Sequence, residues 1–116
     1  MTTESECLFC SMASGAFQVD MLHKDERVFA IRDINPRAPV HFMVIPKQHI
    51  PSARALTPAD GPLLGHMVSV ANQLAVREGI SERGYRLAFN VGEYGGQTIF
   101  HLHMHVLGGR QLGAEG

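Results

Sequence analysis

The run His101-Leu102-His103-Met104-His105 places three imidazoles at every second position. On a strand, successive side chains face opposite sides, so His101, His103 and His105 share one face and Leu102, Met104 and Val106 the other. The second set is wholly apolar and belongs in a core. The three rings would span roughly 13 Å at ~3.3 Å rise per residue. Imidazole can ligate a metal, move protons, or attack phosphorus or carbonyl carbon. Closing all three on one ion is difficult, because flat strand neighbours at i and i+4 sit too far apart. A line of hydrogen-bonded rings with one aimed at a substrate suits the spacing better; the ordinary alternative is a hydrated polar face. Just upstream, Gly95-Gly96-Gln97-Thr98 joins glycines, which let backbone amides approach an anion, to two side chains with donors. Such a nest suits phosphate. By itself a glycine pair means only a turn; beside a histidine strand it means more.

The only two cysteines stand as Cys7-Leu8-Phe9-Cys10. They are too few and too close for a disulfide framework. A thioredoxin-like redox pair needs a βαβ context that this N-terminus lacks, so a metal pair or two ordinary buried thiols are favoured over it. His23, near a strand end, and His66, on a helix, read as surface or satisfied core residues.

These groups have to be positioned by one domain, residues 1–116, because 116 residues suffice for one and not comfortably for two. The net charge of −1 and the lack of like-charged blocks argue against a nucleic-acid or membrane surface driven by charge. No apolar run approaches the ~20 residues that span a bilayer. Met1-Thr2-Thr3-Glu4-Ser5-Glu6 is acidic and unlike a signal peptide, so a cytoplasmic protein is expected.

Cys7–Ala13 reads as a short helix ended by Gly15. Val19–His23 and Val28–Asp33 read as strands around the charged turn Lys24–Arg27, and Val40–Ile45 as an apolar strand stopped by Pro46. Thr57, Pro58 and Asp60 form a helix start, and Leu64, Met67, Val68, Ala71, Leu74 and Ala75 recur on one helical face before Gly79. Tyr85–Val91 and Ile99–Leu107 read as the remaining strands. The expected fold is α+β: an antiparallel sheet with one short and one long helix, both against one face.

With its supporting segments, the histidine run resembles the histidine-triad (HIT) superfamily, closest to its Hint branch. The motif stands as His101-Leu102-His103-Met104-His105-Val106-Leu107. Arg32-Asp33-Ile34-Asn35-Pro36, Ala38-Pro39-Val40-His41-Phe42, Val44-Ile45-Pro46-Lys47, Gly95-Gly96-Gln97 and Gly108-Gly109-Arg110-Gln111 extend the likeness from Cys7 to Gln111. The resemblance implies five antiparallel strands, continuing into ten across a homodimer. It implies a purine nucleoside phosphoramidase, or nucleotidyl hydrolase acting on AMP or GMP derivatives, in which His103 attacks the α-phosphorus and water hydrolyses the nucleotidyl-histidine. His105 would contact the phosphate and assist the leaving group, Thr98 would stand near the leaving atom, and His41 matches an additional histidine on the neighbouring strand. Gly96 and Gln97 would hold the phosphate, Asp33 both ribose hydroxyls, and Asn90 would lie at a nucleotide-contacting position. Phe9, Met12, Ile31 and Ile34 would wall the base. Relatives with the N-terminal cysteine pair imply structural zinc on Cys7, Cys10, His49 and His101, and no catalytic cofactor. A nucleotide-binding regulatory module with little turnover is the second reading, supported by a short C-terminal tail with no tryptophan; a metal-dependent hydrolase is the third.

Overall fold

A computed structural model describes residues 7–115; the acidic segment Met1–Glu6 lies outside the described residues. The element order is α1 (Leu8–Ser14), β1 (His23–Lys24), β2 (Val28–Arg32), β3 (Val40–Pro46), α2 (Gly61–Arg77), β4 (Tyr85–Ala88) and β5 (Met104–Gly108). The strands form one sheet in the order β1-β2-β3-β5-β4, every pair antiparallel. The α+β fold with five strands and two helices is as expected. No helix among the described residues is long and apolar enough to cross a membrane.

The helices do not share a face of the sheet, contrary to expectation. Val28, Ala30, Phe42, Val44, Met104 and Val106 pack with Met67, Val70, Ala71 and Leu74 of α2. Phe29, Ile31, Met43 and Ile45 pack with Cys7, Phe9 and Met12 of α1 and its cap. The cause is legible in the strands: Val28–Ile31 and Phe42–Ile45 are apolar at every position, so both faces must be covered. Three layers result, with the sheet between the helices.

Local chemistry fixes the helix ends. The Cys7 sulfur caps α1, accepting from the Cys10 amide at 3.4 Å, and Gly15 ends it at φ 85°, a conformation with a steric cost for any residue bearing a Cβ. Thr57 and Asp60 form the anticipated capping box around the 3₁₀ turn Pro58–Asp60, and α2 follows from Gly61. Along α2, Val68 is exposed while Val70 is buried, so the apolar face sits slightly round from the one the sequence suggested.

The strands are shorter than expected. β1 holds only His23 and Lys24, and β4 stops at Ala88 instead of Val91. The histidine segment is strand only from Met104, because its last partner in β3 is Val44 and that strand ends two residues later at Pro46. Alternation nevertheless holds upstream: Leu102 joins the α2-side core, its amide donating to the Ile50 carbonyl at 2.6 Å.

Candidate functional site

Residues 41, 43 and 45 of β3 face α1, and the pairing Met43↔His105 puts His105 on that side. His41, His101, His103 and His105 are all at most 7% exposed and so do not form a hydrated polar face. Phe9 of α1 meets His101 and His103 edge-on, with ring centroids 5.7 and 5.2 Å apart.

The rings do not form one hydrogen-bonded line. Instead, each has its own partner, and the network assigns each tautomer. His103 Nδ1–H donates to the His101 carbonyl at 2.7 Å, which leaves the Nε2 lone pair available. The Arg37 amide donates to His41 Nδ1 at 3.1 Å, so His41 carries its proton on Nε2 and donates to His105 Nδ1 at 2.9 Å. His105 therefore carries its own proton on Nε2. The Asp33 carboxylate lies 3.4 Å from His41 Nε2 and 4.0 Å from His105 Nδ1. An acceptor nitrogen and a donor nitrogen thus stand on adjacent rings whose centroids are 4.9 Å apart.

Electrostatics keep the rings neutral. Burial lowers the pKa of His103, against smaller upward pulls from the His101 carbonyl and Asp33. Burial, then His103, His41 and Arg37, push His105 down to about 4, with Asp33 opposing. His41 is lowered by burial too. The unfolded chain, with histidine near ~6.5, takes up these protons first as pH falls. Stability supplied by His41 and His105 is therefore complete above about pH 6.5 and lost progressively toward pH 4. The melting temperature should decline across that window, and a flat or rising profile would contradict the assignment of neutral buried rings.

Cys7, Cys10, His49 and His101 converge, with one potential ligand atom from each within 4.8 Å of all the others. Cys7 Sγ to His101 Nδ1, Cys10 Sγ to His49 Nδ1, and His49 Nδ1 to His101 Nδ1 each measure 3.2 Å; Cys10 Sγ to His101 Nδ1 is 3.5 Å. A tetrahedral ion with bonds of ~2.3 Å to sulfur and ~2.0–2.1 Å to nitrogen separates its donor atoms by about 3.3–3.8 Å. His101 Nε2–H donates to the Pro46 carbonyl at 2.7 Å, turning the Nδ1 lone pair toward the group. Two sulfurs and two such nitrogens facing one centre suit a soft or borderline cation. These four residues could hold a metal ion in this sense.

The remaining sequence-derived positions divide. Phe9, Met12 and Ile31 are buried together on the α1 side, whereas Ile34 is 92% exposed, so the buried part of that apolar wall consists of the first three. Gln97 is buried with its side chain committed to the glycine loop: Oε1 accepts from the Gly92 amide at 2.9 Å, and Nε2 donates to the Pro51 and Ile99 carbonyls at 2.8 and 3.1 Å. Asn90 Nδ2 donates to the Gly95 carbonyl at 2.8 Å. Both side chains therefore shape the loop. A Cβ at position 95 would come within 2.4 Å of the Val91 carbonyl, which requires glycine there. Gly96 adopts φ 85° and Thr98 is exposed beyond it. Sequence reasoning misses the Pro46 carbonyl, because a proline after an apolar run signals only a strand end. A concavity of about 640 Å³ lined by Arg83, Tyr85, Arg86 and Arg110 contains none of the histidines, so donor geometry and not hollow volume marks the site.

Fold and site together define a small α+β domain organised around a buried histidine cluster. Residues 6–114 match the family described as "Scavenger mRNA decapping enzyme C-term binding". A protein of Escherichia coli K12 named purine nucleoside phosphoramidase is 42% identical over 108 residues, 93% of this chain and 91% of that one. A solved HIT family hydrolase from Legionella pneumophila Philadelphia 1 is 46% identical at TM-score 0.88, covering 90% of this chain and 94% of that one. Another from Clostridium thermocellum is 43% identical at TM-score 0.91, covering 98% of both. The chain belongs to the histidine-triad superfamily.

Proposed function

We propose that this HIT-family hydrolase cleaves purine nucleoside 5′-phosphoramidates and related nucleotidyl derivatives through a nucleotidyl-histidine on His103. The observation that carries the reading is the His103 ring held by the His101 carbonyl, which presents a neutral Nε2 lone pair. The relative named purine nucleoside phosphoramidase supports the substrate class. Nε2 attacks the α-phosphorus, the P–N bond breaks, and the amine departs protonated. A bound phosphate anion raises the proton affinity of His105, which supplies that proton and recovers it from the water that later attacks phosphorus. The His41 ring, hydrogen-bonded to His105 and beside Asp33, steadies this exchange. The products are a nucleoside monophosphate and the amine.

In this reading Asp33 takes the ribose hydroxyls, Phe9, Met12, Ile31 and the exposed Ile34 flank the base, and the loop shaped by Asn90, Gly96 and Gln97 holds phosphate beside Thr98. Zinc on Cys7, Cys10, His49 and His101 would be structural, since its four ligands leave no position for water. Intact-mass analysis, quenched within seconds of mixing with an adenosine phosphoramidate, tests the intermediate. A transient nucleotidyl adduct is expected; binding with neither adduct nor turnover would favour a nucleotide-binding module instead.

A homodimer is part of the proposal. β4 is an edge strand whose Leu87 is 37% exposed, and Val68 and Val76 of α2 are 38% and 66% exposed. Light scattering should return twice the chain mass at micromolar concentration, and a monomer there would count against a shared sheet.

A further inference from the structure

His23, Asp25 and His66 come from β1, the turn after it and the second turn of α2, and they meet at one oxygen. Asp25 Oδ2 lies 2.6 Å from His23 Nε2 and 2.7 Å from His66 Nε2. The other carboxylate oxygen, Oδ1, accepts from the Arg27 and Val28 amides at 2.8 and 2.9 Å. The carboxylate is thus fixed by its own turn, with Oδ2 reserved for the two rings. Burial draws its pKa upward, but the bonds from His23, the two amides and His66 prevail and hold it below the usual carboxylate range.

We propose that His23, Asp25 and His66 form a second metal site, a solvent-open group of two imidazoles and one carboxylate that takes a divalent transition-metal ion such as Zn²⁺, Ni²⁺ or Co²⁺. The three potential ligand atoms lie within 4.8 Å of one another. Their side chains are 20%, 28% and 26% exposed, which leaves room for water to complete the coordination. With bonds of ~2.1 Å at right angles, ligand atoms stand about 3.0 Å apart, so His23 and His66 need retreat from Oδ2 by only about 0.4 and 0.3 Å. On binding, each ring gives up the Nε2 proton that it now donates to Oδ2 and coordinates through Nε2 as the tautomer protonated on Nδ1, with any second ring proton passing to solvent. Nitrogen and oxygen ligands without thiolate select borderline ions over the softest ones. With three protein ligands, the site binds more weakly than the cysteine-containing group and fills after it.

The place in the fold gives the ion its role. His23 pairs with Ala30, whose side chain belongs to the α2-side core. The ion would brace α2 against the β1–β2 hairpin, on the face of the sheet opposite His103. Turnover should therefore not depend on it.

Cobalt titration of tag-free, chelator-stripped protein, followed by equilibrium dialysis and absorption, tests the proposal. The cysteine-containing group should fill first with a sulfur-to-cobalt charge-transfer band. A second equivalent should follow with weak six-coordinate bands, no sulfur band and a rise in melting temperature. His66→Gln should lose this second equivalent alone, with phosphoramidate turnover unchanged; His23→Gln, on a two-residue edge strand, should do the same if the helix variant folds poorly. Sulfur-free cobalt that is lost in the variants supports the site even if the cysteine group stays empty. Absence of sulfur-free cobalt, or its persistence in both variants, would overturn the proposal.

Discussion

His103→Ala should lower kcat/KM for an adenosine phosphoramidate by roughly 10⁴-fold or more, while nucleotide affinity stays within a few-fold. The size follows from what is removed. Without the ring no Nε2–phosphorus bond can form, so the two displacements collapse into one direct attack by water. Retained binding follows from what stays: the Asn90–Gln97 loop and Asp33 remain, and in the apolar wall of Phe9, Met12 and Ile31 only Phe9 loses an edge contact with the ring while keeping its packing in the α1-side core. Calorimetry with AMP beside single-turnover mass analysis separates the effects. The adduct should vanish in the variant. Full turnover in a folded His103→Ala protein would reassign the nucleophile.

Stripping metal should act on stability far more than on chemistry. An ion held a thousandfold above its dissociation constant contributes about 4 kcal/mol to the folded state. At about 4 °C per kcal/mol for a chain of this size, chelation should lower the melting temperature by roughly 15 °C. Cys10→Ser should reproduce most of that fall in zinc-loaded protein. Assayed well below the new transition, the stripped enzyme should keep turnover within about tenfold, an effect under ~1.4 kcal/mol on the barrier. Abolished turnover in folded, stripped protein, recovered on adding zinc, would make the metal catalytic and remove His103 from its proposed place.

Much of the architecture was legible, and the failures have physical causes. The alternation of Leu102, Met104 and Val106 against the histidines sorted the faces correctly because period two survives where the ladder has ended. The caps at Gly15 and Thr57 were readable because each answers a local backbone need. The opposed helices were not anticipated, although the unbroken apolar runs of β2 and β3 contained the signal. Gln97 has donors that suit a phosphate, but its actual partners, Pro51 and Ile99, include one far away in sequence. The same limit applied to His23 and His66, separated by more than forty residues and joined only by Asp25. Local pattern gives a side chain's face; only the closed fold gives its partner.

The sheet also acts as a partition. The histidine cluster and the cysteine pair lie on its α1 side, whereas the larger apolar core and α2 lie on the other. A saturating mutational survey should therefore return two partly separable phenotypes. Substitutions at Met67, Val70 or Leu74 should reduce how much protein accumulates at constant specific activity. Changes at His103 should alter the rate per molecule at near-constant abundance, whereas those at the buried Phe9 and Met43 should lower both. Selection could then adjust abundance and catalysis along different axes, with β3, whose alternate residues serve both sides, as the segment least free to vary.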